Sequence, residues 1–266
     1  MGSITSKSIE ISGSTIEYYV SGNGDAVLLL HGAATSSMEN WKATIDSLTR
    51  TRKVIAINFP GAGESKWTAE TIEITDLGLI VQHILQTEKI AQYDVVGFST
   101  GAMLALHLGA SQEAGIKKLI AIAPWLKDGG RSQLFFETWG TIYKTDPELF
   151  HRYNALNFLS GRTLGLLSRE ALESSIQSNI RSNIHKDMAK IIKMNETLNL
   201  NDIITNVKAR TLIIGFSDDR ITLVKNAREI ANLIPAATYI EIEAGHAGPW
   251  EATERMNQVV LKFLYE

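Results

Sequence analysis

Val95-Val96-Gly97-Phe98-Ser99-Thr100-Gly101-Ala102-Met103-Leu104-Ala105-Leu106 decides how the rest of the chain is read. Its first half is short and apolar, the character of a buried strand. Its second half is built from small and straight-chain apolar residues, the character of a buried helix. Ser99 stands at the join, with a glycine two positions away on either side. A strand-to-helix turn lifts the serine hydroxyl into a cleft, and the positive end of the helix behind it favours developing negative charge. Side chains at positions 97 and 101 would collide with neighbouring backbone, so glycine suits both. Gly-x-Ser-x-Gly also occurs in ordinary turns; the strand before it and the helix after it favour a nucleophile.

Similar apolar runs recur on both sides of this segment. Ala26–Leu30, Val54–Ile57, Leu119–Ala123 and Leu212–Ile214 read as buried parallel strands, and Tyr239–Glu243 alternates as an edge strand would. Ser8–Ser12 and Ile16–Val20 flank a Gly-Ser turn and read as a hairpin with one solvated face. Helical patterns lie between, over Trp41–Leu48, Thr75–Leu85, Ala102–Leu108, Ala227–Leu233 and Met256–Leu264. Alternating strands and helices imply a parallel sheet covered on both faces. From Trp125 to Asn206 the alternation stops, and only helical patterns remain. That insertion carries Trp125, Leu134, Phe135, Phe136, Trp139, Tyr143, Phe150, Tyr153 and Phe158. It is expected to sit over the carboxyl ends of the strands, where ligands bind in open sheets. Most of its aromatics would form its own core, with Trp125 and Trp139 as candidate pocket walls. The expected organisation is a core of residues 1–124 and 207–266 with a helical cap over 125–206.

Composition narrows the chemistry. The 266 residues contain no cysteine, which excludes disulfides, thiolate metal sites and a cysteine nucleophile. Any covalent step falls to oxygen or nitrogen. A net charge of −3 gives no basic face for nucleic acid. No apolar run approaches the ~20 residues of a membrane span. Met1–Ser6 lacks the apolar core of a signal peptide, and its fit to a myristoylation pattern (Gly2, Ser6) reads as chance. Asn195-Glu196-Thr197 has the form of a glycosylation sequon, with nothing else to suggest secretion. The expectation is a cytoplasmic protein. His, Asp and Glu lack metal-ligand spacing, Gly61-Ala62-Gly63 lacks the third glycine of a dinucleotide fingerprint, and the Asn183–Lys193 stretch reads as a solvated basic helix face. No metal or cofactor is expected.

A serine hydroxyl needs a base. Of six histidines, His246 lies in Ala244-Gly245-His246-Ala247-Gly248-Pro249, after the last strand and before the last helix, where it can reach the Ser99 turn. His83 and His107 fall within helical patterns, and His151 and His185 in the insertion are assigned to solvent. The base in turn needs a carboxylate to hold its tautomer. Asp218 and Asp219 follow the Leu212–Ile214 strand; Asp219 is chosen, with Asp218 its rival and Asp128 a third option. His31-Gly32-Ala33-Ala34 follows the Ala26–Leu30 strand. The backbone N–H of Ala33 and that of Thr100 are the candidate oxyanion donors. His31 would fix this loop by hydrogen bonds.

Taken in order, Leu30-His31-Gly32, Asn58-Phe59-Pro60-Gly61-Ala62-Gly63-Glu64-Ser65, Gly97-Phe98-Ser99-Thr100-Gly101, Asp219-Arg220-Ile221-Thr222 and Gly245-His246 resemble the α/β-hydrolase superfamily over nearly the whole chain. The likeness is to its esterase, lactonase and cofactor-free peroxidase-like branch. The resemblance implies an eight-stranded, mostly parallel sheet with helices on both faces and a helical cap between strands six and seven. It implies a Ser99, Asp219, His246 triad with Ala33 and Thr100 at the oxyanion. Asn58 stands where the family usually has Asp, Ala62 where it has His or Tyr, and Leu223 where Pro follows the acid.

The expected function is hydrolysis of a carboxylic ester, thioester or lactone through an acyl-enzyme, on a small apolar or aromatic acyl compound. The same fold also supports C–C bond hydrolysis, perhydrolysis, cyclisation and acyl transfer, and could serve a non-catalytic receptor.

Overall fold

The computed structural model describes residues 3–111, 115–127, 129–181, 187–235 and 237–266. Gly2, Asp128 and His185 lie outside the described residues, as does part of the Asn183–Lys193 stretch. The chain opens with β1 (Thr5–Ile11), β2 (Ser14–Ser21) and β3 (Asp25–Leu30), then α1 (Ser37–Leu48), β4 (Arg52–Ile57), α2 (Ile74–Thr87), β5 (Tyr93–Phe98), α3 (Thr100–Ala110) and β6 (Ile116–Ile122). After β6 come five helices: α4 (Arg131–Thr145), α5 (Pro147–Phe158), α6 (Gly161–Leu166), α7 (Arg169–Arg181) and α8 (Met188–Thr197). β7 (Arg210–Phe216), α9 (Val224–Leu233), β8 (Ala237–Ile242), α10 (Gly248–Glu251) and α11 (Thr253–Tyr265) complete it.

The eight strands form one sheet in the order β1-β2-β4-β3-β5-β6-β7-β8. β2 pairs antiparallel with β1 and β4; every pair from β4 to β8 is parallel. Side chains alternate across a strand, so a run buried on both faces must be apolar throughout. On β3, Leu28 and Leu30 join the apolar layer of α2, α3 and α9, while Val27 and Leu29 join that of α1 and α11. β8 ends the sheet, as its half-alternating sequence implies. No described helix is long and apolar enough to cross a membrane.

The departure at Asn58 has a local cause. Asn58 Oδ1 accepts from the Ser37 amide at 2.9 Å, and Nδ2 donates to Glu17 Oε2 at 2.8 Å. Both residues are buried. Glu17 also accepts from the Glu64 amide and from Ser6 Oγ. Burial opposes its ionisation, but these donors outweigh it and hold its carboxyl below the usual range. An aspartate at 58 would turn a donor into a second carboxylate against Glu17. Asn58→Asp is expected to cost about 2–3 kcal/mol at pH 7. Because repulsion raises carboxyl pKa values in the folded state, the deficit shrinks as pH falls towards 5. Urea midpoints at pH 7 and 5 measure both, and equal stability of the two proteins at pH 7 would refute the account.

Candidate active site

The turn at Ser99 is tight. β5 ends at Phe98, α3 starts at Thr100, and Ser99 between them has φ 53° and ψ −117°. Non-glycine residues seldom adopt this geometry, and surrounding structure must hold it. A Cβ on Gly97 would lie 2.0 Å from the Gly101 carbonyl oxygen, and one on Gly101 would lie 2.1 Å from that of Leu30. The two glycines thus let the start of α3 lie directly on the ends of β5 and β3.

Ser99, His246 and Asp219 come together from the ends of three strands. His246 follows β8, and its Nε2 lies 3.0 Å from Ser99 Oγ. Its Nδ1 lies 2.7 Å from Asp219 Oδ2. Asp219 follows β7 and accepts at Oδ1 from the Ile221 and Thr222 amides (2.8 and 2.9 Å) and at Oδ2 from Thr222 Oγ1 (2.8 Å). Burial works against ionisation of Asp219, yet His246 and these donors outweigh it and hold its carboxyl below the ordinary value. A carboxylate only accepts, so Nδ1 carries the hydrogen and Nε2 offers its lone pair to the Ser99 hydroxyl. All three residues are buried. Phe98 and Phe158 flank the imidazole, each with its ring centroid 5.1 Å away.

Asp218 is placed elsewhere. Its half-exposed carboxylate accepts from the Gly161 amide at 2.5 Å and faces Arg220. It holds the start of α6, in the insertion. Glu251 makes a second tie, accepting from Gly245 N at 2.6 Å and from Ser160 N at 2.8 Å. His31 is fully buried; its Nε2 accepts from the Phe59 amide at 2.8 Å, and Nδ1 lies 2.6 Å from the Gly32 carbonyl oxygen. Burial pushes its pKa down to about 4, so it stays neutral at pH 7.

A cavity of about 460 Å³ opens over Ser99 and His246. Ala33 and Thr100 line it beside Ser99, and Thr100 Oγ1 accepts from Asn195 Nδ2 at 2.9 Å. Asn195 is buried, so the sequon there is closed to a glycan. Phe135, Phe136 and Trp139 of α4 form much of the apolar wall. Two expectations need correction. Trp125 does not line the cavity; it is buried behind Phe136, 5.3 Å between ring centroids, as part of the insertion's core. His151 is not solvated; it is buried and lines the cavity, because α5 turns that face inward.

Comparison with known proteins agrees with this architecture. Residues 25–253 match the family described as alpha/beta hydrolase fold. The chain belongs to the α/β-hydrolase fold family. It is 21% identical to pyrrolizixenacetamide deacetylase of Xenorhabdus hominickii, over 96% of this chain and 97% of that one. It is 25% identical to a 2-hydroxy-6-oxononadienedioate/2-hydroxy-6-oxononatrienedioate hydrolase of Burkholderia vietnamiensis, over 94% and 90%. Among solved structures, the enol-lactonase of Burkholderia xenovorans LB400 superposes with a TM-score of 0.87 at 19% identity, covering 98% of this chain and all of that one.

Proposed function

We propose that the protein is a serine hydrolase that cleaves a carboxylic ester, thioester or lactone of a small, largely apolar compound. The observation that carries this reading is the unbroken hydrogen-bonded line from Asp219 through His246 to Ser99. Ser99 Oγ attacks the carbonyl carbon while His246 Nε2 takes its proton. The amides of Ala33 and Thr100 receive the oxyanion. His246 returns the proton to the leaving oxygen or sulfur, and the acyl group stays on Ser99. Water, deprotonated by the same imidazole, then releases the acid. Asp219 holds the tautomer and stabilises the imidazolium. Residues 125–206 serve as a cap that walls the substrate off from water.

The relative that acts on a dioate suggests C–C hydrolysis as a rival, but among the described residues lining this cavity there is no Lys or Arg to receive a second carboxylate. A fluorophosphonate probe tests the proposal. Folded wild-type protein is expected to be labelled at Ser99 and Ser99→Ala left unlabelled. Equal labelling of both, or none of either, would overturn it.

A further inference from the structure

The wall contributed by α5 carries polar groups that the proposed hydrolysis leaves unused. Phe158, Ala155, Asn154 and His151 all line the cavity, and their spacing puts them on one face of the helix. Phe158 meets the His246 ring edge-on. At 1.5 Å of rise per residue, Asn154 lies about 6 Å and His151 about 10 Å along α5 from that contact. The cavity therefore has a reacting end and a far end.

Among the described residues, the α5 wall at the far end is polar and uncharged. His151 is only 9% exposed and makes no hydrogen bond among the described residues. Its ring nitrogens are therefore available to a ligand or to water entering the cavity. Burial holds its pKa below the usual value, so at pH 7 it offers one donor and one acceptor. Asn154 Oδ1 accepts from Trp139 Nε1 at 2.6 Å. An indole can only donate, so the amide orientation is settled and the Asn154 NH2 group remains as a donor on this wall. Among the described residues lining the cavity, Glu39 alone has an ordinarily charged side chain.

We propose that His151 and Asn154 form a far subsite for an uncharged hydrogen-bonding group, a hydroxyl or carboxamide, carried about eight bonds from the scissile carbonyl. The proposal rests on the hydrolase reading and names its substrate class: a medium-chain ester or lactone with a polar, uncharged terminus. An apolar terminus would leave the imidazole unpaired, and a carboxylate terminus would find no cation among the described lining residues.

The test compares kcat/KM for p-nitrophenyl octanoate, its 8-hydroxy derivative and the mono-p-nitrophenyl ester of suberic acid. Hexyl acetate and 6-hydroxyhexyl acetate place the chain on the alcohol side instead, with the hydroxyl again about eight bonds from the carbonyl. Wild-type protein is expected to favour the hydroxylated member of at least one pair by about tenfold, the worth of one satisfied hydrogen bond, and to disfavour the suberate. His151→Leu and Asn154→Leu should each reduce that ratio, and His151→Gln should restore part of it. A variant that merely loosens the fold lowers both rates together and leaves the ratio unchanged. Absence of any hydroxyl preference in both wild-type pairs, or a preference intact in both leucine variants, would overturn the subsite. p-Nitrophenyl acetate is too short to reach His151 and separates the two claims. Wild-type turnover of acetate without hydroxyl preference defeats the subsite alone, whereas no Ser99-dependent turnover of acetate defeats the hydrolase reading and the subsite with it.

Discussion

Replacing Ser99 with alanine is expected to lower kcat on p-nitrophenyl acetate by roughly 10⁴- to 10⁶-fold while leaving the melting temperature close to that of wild type. The two halves of the expectation have different causes. The hydroxyl is the only part of Ser99 placed against His246 Nε2, and no other nucleophile stands at 3.0 Å from that nitrogen among the described contacts. The turn, by contrast, is held by Gly97, Gly101 and the start of α3, and alanine carries the same Cβ through the same positive φ. A residual rate over water would come from the Ala33 and Thr100 amides and from binding. His246→Ala should cost a comparable factor. The double variant should be hardly worse than either single one, because nucleophile and base act as one unit. Steady-state kinetics on the three proteins measures this. A Ser99→Ala protein retaining a tenth of wild-type kcat would end the assignment, and strictly additive losses would show that the two side chains act separately.

The fold was legible in the sequence because burial on both faces leaves a pattern that position alone can reveal. The runs at 26–30, 54–57, 95–98, 119–123 and 212–214 fall on central strands, with Ala123 one residue past the end of β6. Boundaries were less legible. α1 begins at Ser37 rather than Trp41, and the signal was there: Ser36 and Glu39 form a capping box, each bonding the other's backbone amide. The residues drawn together around Ser99 were legible where the chain itself carries them to a strand's carboxyl end, as with His246 and the Asp218-Asp219 pair. What stayed hidden depends on packing between distant segments. The choice between Asp218 and Asp219 turns on which carboxylate faces β8's loop and which faces Gly161, fifty-seven residues away. Trp125 and Trp139 are alike in sequence, but the first is shut behind Phe136 and the second borders the cavity. His151 looks like a surface residue until α5 is laid against Trp139 and His246.

The two adjacent aspartates give the second large effect, and they separate cleanly. Asp219→Asn is expected to lower kcat by roughly 10⁴-fold, whereas Asp218→Asn should change it less than about threefold. The backbone decides how an asparagine at 219 must sit. Two amides, from Ile221 and Thr222, converge on Oδ1, so the carbonyl oxygen of the new side chain is held there. Its NH2 group then takes the place of Oδ2 and points at His246 Nδ1. Nδ1 must accept, the ring proton moves to Nε2, and Ser99 faces a donor instead of a base. The side chain keeps its shape and loses the chemistry. An asparagine at 218 can still accept from the Gly161 amide through its carbonyl oxygen, so the tie to α6 survives without touching the imidazole. Nδ1 and Nε2 proton positions read by NMR, alongside kcat for both variants, test the two steps separately. A large loss in Asp218→Asn with little in Asp219→Asn would transfer the role to the neighbour. A large loss in Asp219→Asn with the proton still on Nδ1 would mean that the negative charge of Asp219, rather than the tautomer it enforces, is what Ser99 depends on.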